Sequence, residues 1–326
     1  MKEDDIRNRT AYDQYIKLAD EDAKNIFDFS GFVKINCPAC KSSEAVHEFE
    51  KKGFCYVSCK QCGTLFVNPR PSFHDLETFY KSSSSTSFWI NEFFKPVAEK
   101  RRKKIFYPRA EYISQKLFRE NKKTIGDIGA GYGIFLEELK KFWKDSTMVA
   151  IEPSQELAEI CSQKGFNARC STLEKLKGFD GTFDLLTAFE LLEHLFNPEE
   201  FLKQVYRLLK PGAYFLITTL NGQGFDIEVL WEQSVSINPP HHLNFFNLKS
   251  ISLLLKSIGF NIIESSTPGK LDWDLVENAY KKEGKDIGRF WKLLADKASQ
   301  DTKQDFQAWI VKNNLSSHMR ILAQKK

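Results

Sequence analysis

Between residues 122 and 265, short apolar runs alternate with segments in which apolar residues recur every three or four positions. The short runs predict buried strands, and the period near 3.6 predicts helices with one apolar face. This alternation is typical of a parallel sheet covered by helices on both faces, with right-handed crossovers. The predicted strands are Thr124–Ile128, Met148–Ile151, Asn167–Cys170, Phe183–Ala188, Tyr214–Thr218 and Phe260–Ser265. The predicted helices include one that starts at about Ile134, and Glu156–Lys164, Pro198–Leu209 and Leu248–Ile258.

The pattern changes on both sides of this core. Residues 81–87 are almost all serine and predict a flexible loop, whereas residues 88–120 are mostly helical in pattern and rich in aromatic side chains. Residues 270–326 also show a helical pattern, and the closing run 316–323 predicts an extra edge strand. We therefore divide the chain into a polar N-terminal extension (1–30), a small unit (31–71), a helical linker or lid (72–121), the core (122–265) and a C-terminal extension (266–326).

Composition narrows the class of protein. The 326 residues are 42% hydrophobic, which is enough for a substantial core and argues against disorder. A net charge of +4 is too small to indicate nucleic-acid binding by the whole chain. No apolar run reaches the roughly 18 residues of a membrane helix, and the start Met1-Lys-Glu-Asp-Asp does not resemble a signal peptide. We expect a cytoplasmic protein that does not insert into membranes.

One local basic run, Lys100–Lys104, stands out against this mild balance. The sequence favours a solvated helix face for it. If the run binds a ligand, the modest total charge favours a diphosphate over a nucleic-acid backbone.

Four of the seven cysteines occur as two pairs in the small unit 31–71. Cys37-Pro-Ala-Cys40 and Cys59-Lys-Gln-Cys62 are separated by 18 residues, a spacing found in four-cysteine zinc sites. Each pair can present two sulfur atoms to one tetrahedral ion, and about forty residues form little core without such a staple. The pattern predicts a zinc ribbon whose role, structural, partner-binding or substrate-covering, stays open. Neither Cys55 nor His47 is expected to be a ligand.

A glycine-rich turn follows the first predicted strand of the core. Gly129, Gly131 and Gly133 occupy alternate positions after Asp127, and glycines there let the backbone approach a ligand closely. NAD, FAD and S-adenosylmethionine (SAM) are all bound by turns of this kind. A carboxylate at Asp127 would repel a pyrophosphate but suits the cationic methionine end of SAM. Glu152, at the end of the next strand, can accept hydrogen bonds from both ribose hydroxyls of any of the three.

Two later motifs complete a pattern with the acidic glycine turn and Glu152. These are Phe183-Asp-x-x-x-x-x-Glu190-x-x-Glu193-His194 and Leu209-Lys-Pro-Gly212. Over residues 122–265 the combination resembles the class I SAM-dependent methyltransferases. The resemblance implies a Rossmann-like core with a mostly parallel seven-stranded sheet and SAM as the cofactor. The residues it places at the cofactor are Asp127, Gly129, Ala130, Gly131, Glu152, Phe189 and Glu190.

With the ribbon in front, the chain resembles the zinc-ribbon methyltransferases of bacterial sugar and polysaccharide biosynthesis. That resemblance implies a sugar or sugar-nucleotide acceptor. In that group, a histidine shortly after the Leu-Lys-Pro-Gly strand serves as the base, and His242 in His241-His-Leu-Asn-Phe-Phe matches it. The chain has His241 where those enzymes carry a glutamate, so His241 and His242 are both candidate catalytic residues. His194 is expected to pack beside the cofactor and hold the loop.

Two other functions remain open at this stage. One is an RNA methyltransferase whose ribbon binds nucleic acid, which would need the ribbon and Lys100–Lys104 to form one positive face. The other is a non-catalytic SAM-binding module, which the intact Asp127, glycines and Glu152 argue against. The acceptor, the methylated atom and the oligomeric state are not determined by the sequence.

Overall fold

The computed structural model describes residues 2–6, 8–117 and 122–326. The helices are α1 Arg9–Ile26, α2 Phe73–Ser82, α3 Ser84–Phe88, α4 Ala98–Arg101, α5 Tyr107–Lys116, α6 Ile134–Phe142, α7 Gln155–Gln163, α8 Pro198–Leu208, α9 Phe225–Leu230, α10 Leu248–Ile258, α11 Asp272–Lys281, α12 Arg289–Lys297 and α13 Gln300–Lys312. The strands are β1 Ala45–Lys51, β2 Phe54–Cys59, β3 Leu65–Val67, β4 Thr124–Ile128, β5 Thr147–Ile151, β6 Asn167–Arg169, β7 Phe183–Phe189, β8 Leu209–Leu220, β9 Asn244–Phe245, β10 Phe260–Ser266 and β11 His318–Lys325. Two π-helical segments, Trp89–Phe94 and Arg102–Phe106, flank α4.

Seven strands form the central sheet in the order β10-β11-β8-β7-β4-β5-β6. Strands β6, β5, β4, β7 and β8 pair in parallel, and β11 is antiparallel to both of its neighbours. The predicted α/β fold with a mostly parallel seven-stranded, Rossmann-like sheet is therefore confirmed. The strand order reverses between β4 and β7, and ligands of such sheets bind at the carboxyl ends of the strands beside this point.

The position of β11 differs from the prediction. The closing run was expected at the sheet edge, within an extension outside the core, but β11 lies between β8 and β10 inside the sheet. Its Met319, Ile321, Leu322 and Ala323 are at most 1% exposed. Apolar side chains on both faces are typical of a strand inside a sheet that is covered on both faces. Such a strand is also paired along both of its backbone edges, unlike an edge strand. Segment 266–326 thus supplies part of the core.

A second, smaller sheet contains the ribbon strands in the antiparallel order β1-β2-β3-β9. Its fourth strand, β9, is only two residues long and directly follows the segment that contains His241 and His242. Leu65 pairs with Phe245, and Phe66 pairs with Asn244. The ribbon is therefore joined to the core loop by backbone pairing, which no local sequence pattern indicated.

The serine-rich segment predicted as a flexible loop is helical instead. It contains the end of α2 and most of α3, and the Ser83 side chain caps α3 by accepting from the N–H of Thr86. Asp22 of α1 accepts hydrogen bonds from the backbone N–H groups of Ser84 (3.1 Å) and Ser85 (2.8 Å). Serines near a helix start favour capping, and an acceptor from another element completes it.

We call segment 72–117 the lid, because its side chains contact the glycine turn and the residue that follows β7. The predicted helical pattern 88–120 ends in residues 118–120, which lie outside the described residues. Tyr12 and Tyr15 of α1 pack against Trp89 and Phe93, so α1 is docked on the lid. Within the described ranges, none of the helices has the length and apolar character needed to cross a membrane.

Candidate functional site

The glycine turn lies at the carboxyl end of β4. Gly129, Gly131 and Gly133 all have left-handed backbone angles, with φ of +70°, +55° and +70°. A Cβ atom on Gly133 would lie 3.0 Å from the Cys161 sulfur and 3.2 Å from the Phe166 ring, so close packing also requires this glycine. A Cβ atom on Gly131 would meet nothing within 4 Å. The turn therefore packs tightly at its end and has open space above its centre.

Asp127 is the last residue but one of β4, shortly before the turn, and is 3% exposed. The Thr187 hydroxyl donates a hydrogen bond of 2.6 Å to its carboxylate. Burial raises the pKa of Asp127 to about 7, although the Thr187 hydrogen bond and the charge of Arg109 partly oppose this shift. A buried carboxylate with this environment is stabilised in its charged form by a cationic ligand.

Glu152 directly follows β5 and connects two backbone segments. Its carboxylate accepts from the N–H of Gly131 at 2.8 Å and from the N–H of Ser154 at 3.0 Å. Burial raises its pKa, while the two backbone hydrogen bonds act in the opposite direction. Glu152 therefore fixes the backbone of Gly131, the middle glycine of the turn, and its carboxylate lies beside the turn.

Phe189 is the last residue of β7, and Glu190 directly follows it. The Glu190 carboxylate accepts from Arg109 Nη2 (2.8 Å) and from the Thr218 hydroxyl (2.7 Å). Burial alone would raise the pKa of Glu190, but His318, Arg109 and Thr218 together lower it well below its usual range. Glu190 is therefore a carboxylate held against the lid, because Arg109 belongs to α5.

Arg109 also joins these residues to the rest of the site. Its guanidinium lies over the Phe189 ring, 4.6 Å from the centroid, and its charge acts on Asp127. Phe189 packs on Phe135 at the start of α6, with centroids 4.7 Å apart. The structure thus brings Asp127, Glu152, Phe189 and Glu190 to one edge of the sheet around the turn.

His242 lies in the loop between α9 and β9, with its ring beside that of His194 (centroids 4.9 Å apart). Its Nδ1 is 2.6 Å from the carbonyl oxygen of Ser236. A carbonyl can only accept, so Nδ1 carries the hydrogen and Nε2 is the basic nitrogen of the neutral ring. His194 is held similarly, because its Nδ1 donates to the carbonyl of His241 at 2.8 Å, and burial lowers its pKa to about 4.

His241 has different surroundings from its neighbour. It is 5% exposed, and its Nε2 lies 3.1 Å from the Ser85 hydroxyl of the lid. The rings of Tyr15, Phe79 and Tyr80 enclose it, with centroids 4.8 to 6.2 Å away. Burial, and then the nearby His194 and His242, lower the pKa of His241 well below its usual value. Its ring is neutral and packed inside the lid.

The ribbon contacts the backbone of His242 and the residues that follow it. The Tyr56 hydroxyl donates to the carbonyl of His242 at 2.7 Å, and the N–H of Val67 donates to the carbonyl of Leu243 at 3.0 Å. Arg70 is fully buried and donates to the Asn244 side chain (2.9 Å) and the Phe196 carbonyl (3.0 Å). The segment after His242 is therefore fixed by side chains and backbone of the ribbon.

The four paired cysteines converge at one end of the ribbon. All four sulfur atoms lie within 4.8 Å of one another, and the pairs Cys37–Cys62 and Cys40–Cys59 are each 3.5 Å apart. Sulfur ligands of a tetrahedral zinc ion, at about 2.3 Å from the metal, are about 3.8 Å apart, so the cluster fits zinc. The hydrogen bond between the Cys37 and Cys62 sulfur atoms lowers the pKa of Cys62 and raises that of Cys37. In the described part of the chain, Cys55 and His47 are not in this group.

The lid also covers the glycine turn itself. Phe94 stacks on Tyr132 of the turn (centroids 5.5 Å apart), and the Tyr132 hydroxyl donates to the carbonyl of Ile90 at 2.9 Å. Arg102, from the basic run, pairs with Glu137 (2.8 Å) and Glu138 (2.7 Å) of α6. The basic run is therefore not simply a solvated face, because Arg102 ties the lid to the helix behind the turn.

Several residues of the site carried no signal in the sequence. Arg109 lies in a helix without a motif, and Thr218 and His318 reach Glu190 from strands that are remote in sequence. Arg70 stands in Asn68-Pro-Arg-Pro71, where only the prolines suggest a turn. Thr187 offered a weak signal, because it lies two positions before Phe189 and so shares its face of β7.

A sheet of this order, with an acidic glycine turn at β4 and a second carboxylate at the end of β5, defines a class I SAM-dependent methyltransferase domain. The family model described as "Methyltransferase domain" matches residues 97–265, more than half of the chain. The chain belongs to this methyltransferase family.

Similar proteins include the ubiquinone biosynthesis O-methyltransferase of Coxiella burnetii, 28% identical over 154 residues. That match covers 45% of this chain and 63% of the relative, so the chain spans less than two thirds of the length of this relative. An uncharacterized protein of Methanocaldococcus jannaschii is 25% identical over 171 residues, covering 52% of this chain and 80% of the relative.

Among solved structures, the plantazolicin methyltransferase BpumL in complex with SAH is 16% identical, with a TM-score of 0.49. The match covers 77% of this chain and 94% of that chain. A possible histamine N-methyltransferase from Thermotoga maritima is 20% identical, with a TM-score of 0.46, and the match covers 72% and 96% of the two chains.

Proposed function

We propose that this protein transfers a methyl group from SAM to a sugar or sugar-nucleotide acceptor, with His242 as the general base. The observation that carries this proposal is the orientation of the His242 ring. The Ser236 carbonyl holds Nδ1–H at 2.6 Å, which makes Nε2 the nitrogen that accepts a proton. The sugar acceptor rests on the resemblance of the ribbon and the histidine loop to methyltransferases of sugar biosynthesis.

The donor would be held at the glycine turn. SAM supplies a methyl group on a positively charged sulfur, and that methyl is transferred by in-line displacement. Asp127 would bind the amino group of the methionine part, and Glu152 would accept hydrogen bonds from the ribose hydroxyls. Gly129, Ala130 and Gly131 would line the donor through their backbone, since the space above Gly131 is open. Phe189 and Glu190 would contact the donor from the end of β7.

His242 would act on the acceptor. As a hydroxyl oxygen or an acidic carbon of the acceptor attacks the methyl group, the proton on that oxygen or carbon moves to Nε2 of His242. The ring then carries a positive charge, which the Ser236 carbonyl stabilises through its hydrogen bond with Nδ1–H. Histidine suits this step because its ordinary pKa lies near neutrality.

For His241 we propose a positioning role. Its ring contacts Ser85 and is enclosed by the aromatic side chains of α1 and α2, while its carbonyl accepts from His194 at 2.8 Å. A ring in this position connects the lid to the loop that carries His242. A buried neutral ring also contributes no charge that would disfavour a positively charged donor.

For the four cysteines we propose a structural zinc ion. Their sulfur separations fit tetrahedral coordination, and the ribbon that they close contacts His242 through Tyr56. The ion would therefore act on catalysis only by holding the ribbon in shape. A small-molecule acceptor is supported by Arg102 and Lys104, whose ion pairs with carboxylates of the same chain reduce the positive charge left for RNA.

Calorimetry and a transfer assay test the proposal. We expect SAM to bind at one site, and labelled methyl to appear on a sugar nucleotide from a panel that also includes RNA and a phenolic acceptor. Mass spectrometry then locates the methyl group. Failure to bind SAM would contradict the whole proposal, whereas transfer only to RNA or to the phenol would contradict the acceptor.

A His242→Ala variant tests the base. We expect kcat to fall by about 10²- to 10⁴-fold, as is usual when a general base is removed, with the Kd for SAM unchanged. His47→Ala is the matched control, because His47 is an exposed histidine on β1. Full turnover by His242→Ala would rule out His242 as the base.

A further inference from the structure

Three lysines surround the loop that leads to His242, and we call them the lysine cluster: Lys51, Lys52 and Lys285. Lys51 Nζ donates to the carbonyl of Ser234 at 2.8 Å, and Lys52 Nζ donates to the side chain of Asn238 at 2.9 Å. Lys285 Nζ, from the segment after α11, donates to the carbonyl of Gln233 at 2.9 Å. Three lysine amino groups, one from the end of β1, one from the residue directly after it and one from the segment after α11, thus contact residues 233–238.

Lys51 differs from the other two members of the cluster. Lys52 forms an ion pair with Asp20, and Lys285 pairs with Glu283 at 2.7 Å. Within the described ranges, Lys51 has no carboxylate at ion-pair distance, and its hydrogen-bond partner is a single carbonyl. An ammonium group has three donors, so two remain for a ligand.

The surroundings of Lys51 also favour an anion. The side chain is half-buried, and burial lowers the pKa of its amino group to about 7. The positive charges of Lys52 and Lys285 act in the same direction, and the negative charges of Asp20 and Glu232 oppose them. A bound anion would restore the charged form, because it supplies the opposite charge that the protein does not provide at close range.

The cluster lies close to the proposed base along the chain. Ser234 accepts from Lys51, and Ser236, two residues later, accepts from His242. Two residues of fully extended chain span at most about 7 Å. One acceptor molecule could therefore present a hydroxyl or carbon to His242 and an anionic group to Lys51.

We propose that Lys51, assisted by Lys52 and Lys285, binds the diphosphate group of the acceptor. This inference rests on the proposed function and names the part of the chain that recognises a sugar diphosphate. Lysine binds phosphate oxygens as a compact charge with three rotatable donors. The sequence favoured a solvated helix face for Lys100–Lys104 and a diphosphate only if that run binds a ligand. In the structure, Arg102 and Lys104 of the run are engaged by carboxylates of the chain.

Calorimetry with inorganic pyrophosphate is the first test. We expect pyrophosphate to bind to the wild-type protein, more weakly at high salt, and Lys51→Met to weaken this binding at least tenfold. Lys312→Met is the matched control, because Lys312 is an exposed lysine at the end of α13. SAM affinity should not change in either variant.

Two further arms decide the source of the diphosphate. A nucleoside diphosphate sugar and a polyprenyl diphosphate sugar are each competed against pyrophosphate, and the acceptor class is the one that displaces it at lower concentration. If Lys51→Met does not fold, Lys285→Gln replaces it, with an expected weakening of severalfold.

The inference would be overturned if pyrophosphate did not bind to the wild-type protein. It would also be overturned if pyrophosphate bound equally well to wild type, to Lys51→Met and to Lys285→Gln. Its failure is distinguishable from failure of the proposed function. SAM binding and methylation of an uncharged sugar, without pyrophosphate binding, would contradict only the diphosphate site. Lys51-dependent pyrophosphate binding without SAM binding would contradict only the methyltransferase proposal.

Discussion

His241 and His242 are adjacent in sequence, yet their side chains are held by different parts of the molecule. The His241 ring packs into the lid against Ser85, whereas the His242 ring lies beside His194 and donates to Ser236. Because the two chemical groups are identical, no property of the residues themselves separates a base from a packing residue. Burial and hydrogen-bond partners favour His242 as the base.

Asp127 shows the same dependence on surroundings. An isolated aspartate is charged at neutral pH, but burial raises the pKa of Asp127 to about 7. In the protein without SAM, this carboxyl group therefore carries a proton below about pH 7. The proposed contact with the cationic amino group of SAM requires the deprotonated form.

We expect SAM affinity to rise with pH up to about pH 7 and then to level off. Below pH 7, binding must release the proton from Asp127, so affinity should fall by about tenfold for each pH unit. Calorimetry between pH 5.5 and 7.5 measures this dependence. Asp127→Asn, which has no ionisable group at this position, should bind more weakly with a flat profile, and a flat profile in the wild type would contradict the prediction.

At the scale of elements, the ribbon is part of the site rather than an appended unit. Its sheet takes β9 from the core as a fourth strand, and Tyr56 reaches the carbonyl of His242. Burial raises the pKa of Tyr56 well above its usual value, so its hydroxyl stays protonated and donates. The position of His242 therefore depends on the ribbon keeping its shape.

Removal of the proposed zinc ion should test this dependence. We expect one zinc ion per chain, measured by elemental analysis. Chelation or Cys59→Ser should lower the melting temperature and decrease kcat more than it weakens SAM binding, because the ribbon contacts the loop of His242. Unchanged turnover in a metal-free, folded protein would show that the ribbon does not position the loop.

Tyr56→Phe is a milder version of the same experiment. It removes one buried hydrogen bond, worth about 1 kcal/mol, and leaves the cysteines intact. We expect kcat to fall severalfold with unchanged zinc content and unchanged SAM affinity. Tyr107→Phe provides the control, because Tyr107 is exposed and its hydroxyl donates to Glu111 of the same helix.

For the whole molecule, the last strand completes the sheet. Strand β11 pairs with β8 from His318 to Gln324 and with β10 from Arg320 to Lys325. Without it, β8 and β10 would each expose an unpaired edge. The C-terminal segment is therefore needed for the core as well as for Glu190, which His318 approaches at 3.4 Å.

A charged residue inside β11 should be strongly destabilising. Leu322 is 1% exposed, so Leu322→Asp places an unpaired charge in the core and should lower the free energy of unfolding by more than about 3 kcal/mol. Gln324→Asp is the control, because Gln324 is only partly buried in the same strand. Urea unfolding measures both, and equal effects would contradict an interior position for β11.

The sequence by itself determined the class of fold and predicted where the donor would bind. Strand-helix alternation predicted the parallel sheet, and the acidic glycine turn with Glu152 predicted a donor site at its edge. The spacing of the four cysteines was enough to predict that they cluster. These features are local, since each depends on residues within one element or on one short spacing.

Only the tertiary structure decided how remote segments meet at the site. The hydrogen bond from Arg109 to Glu190 joins residues 81 positions apart, and that from Tyr56 to His242 joins residues 186 positions apart. Local periodicity shows which face of an element is buried, but not which element covers it. The separation of His241 from His242, the interior position of β11 and the lysine cluster at the loop therefore came only from packing in three dimensions.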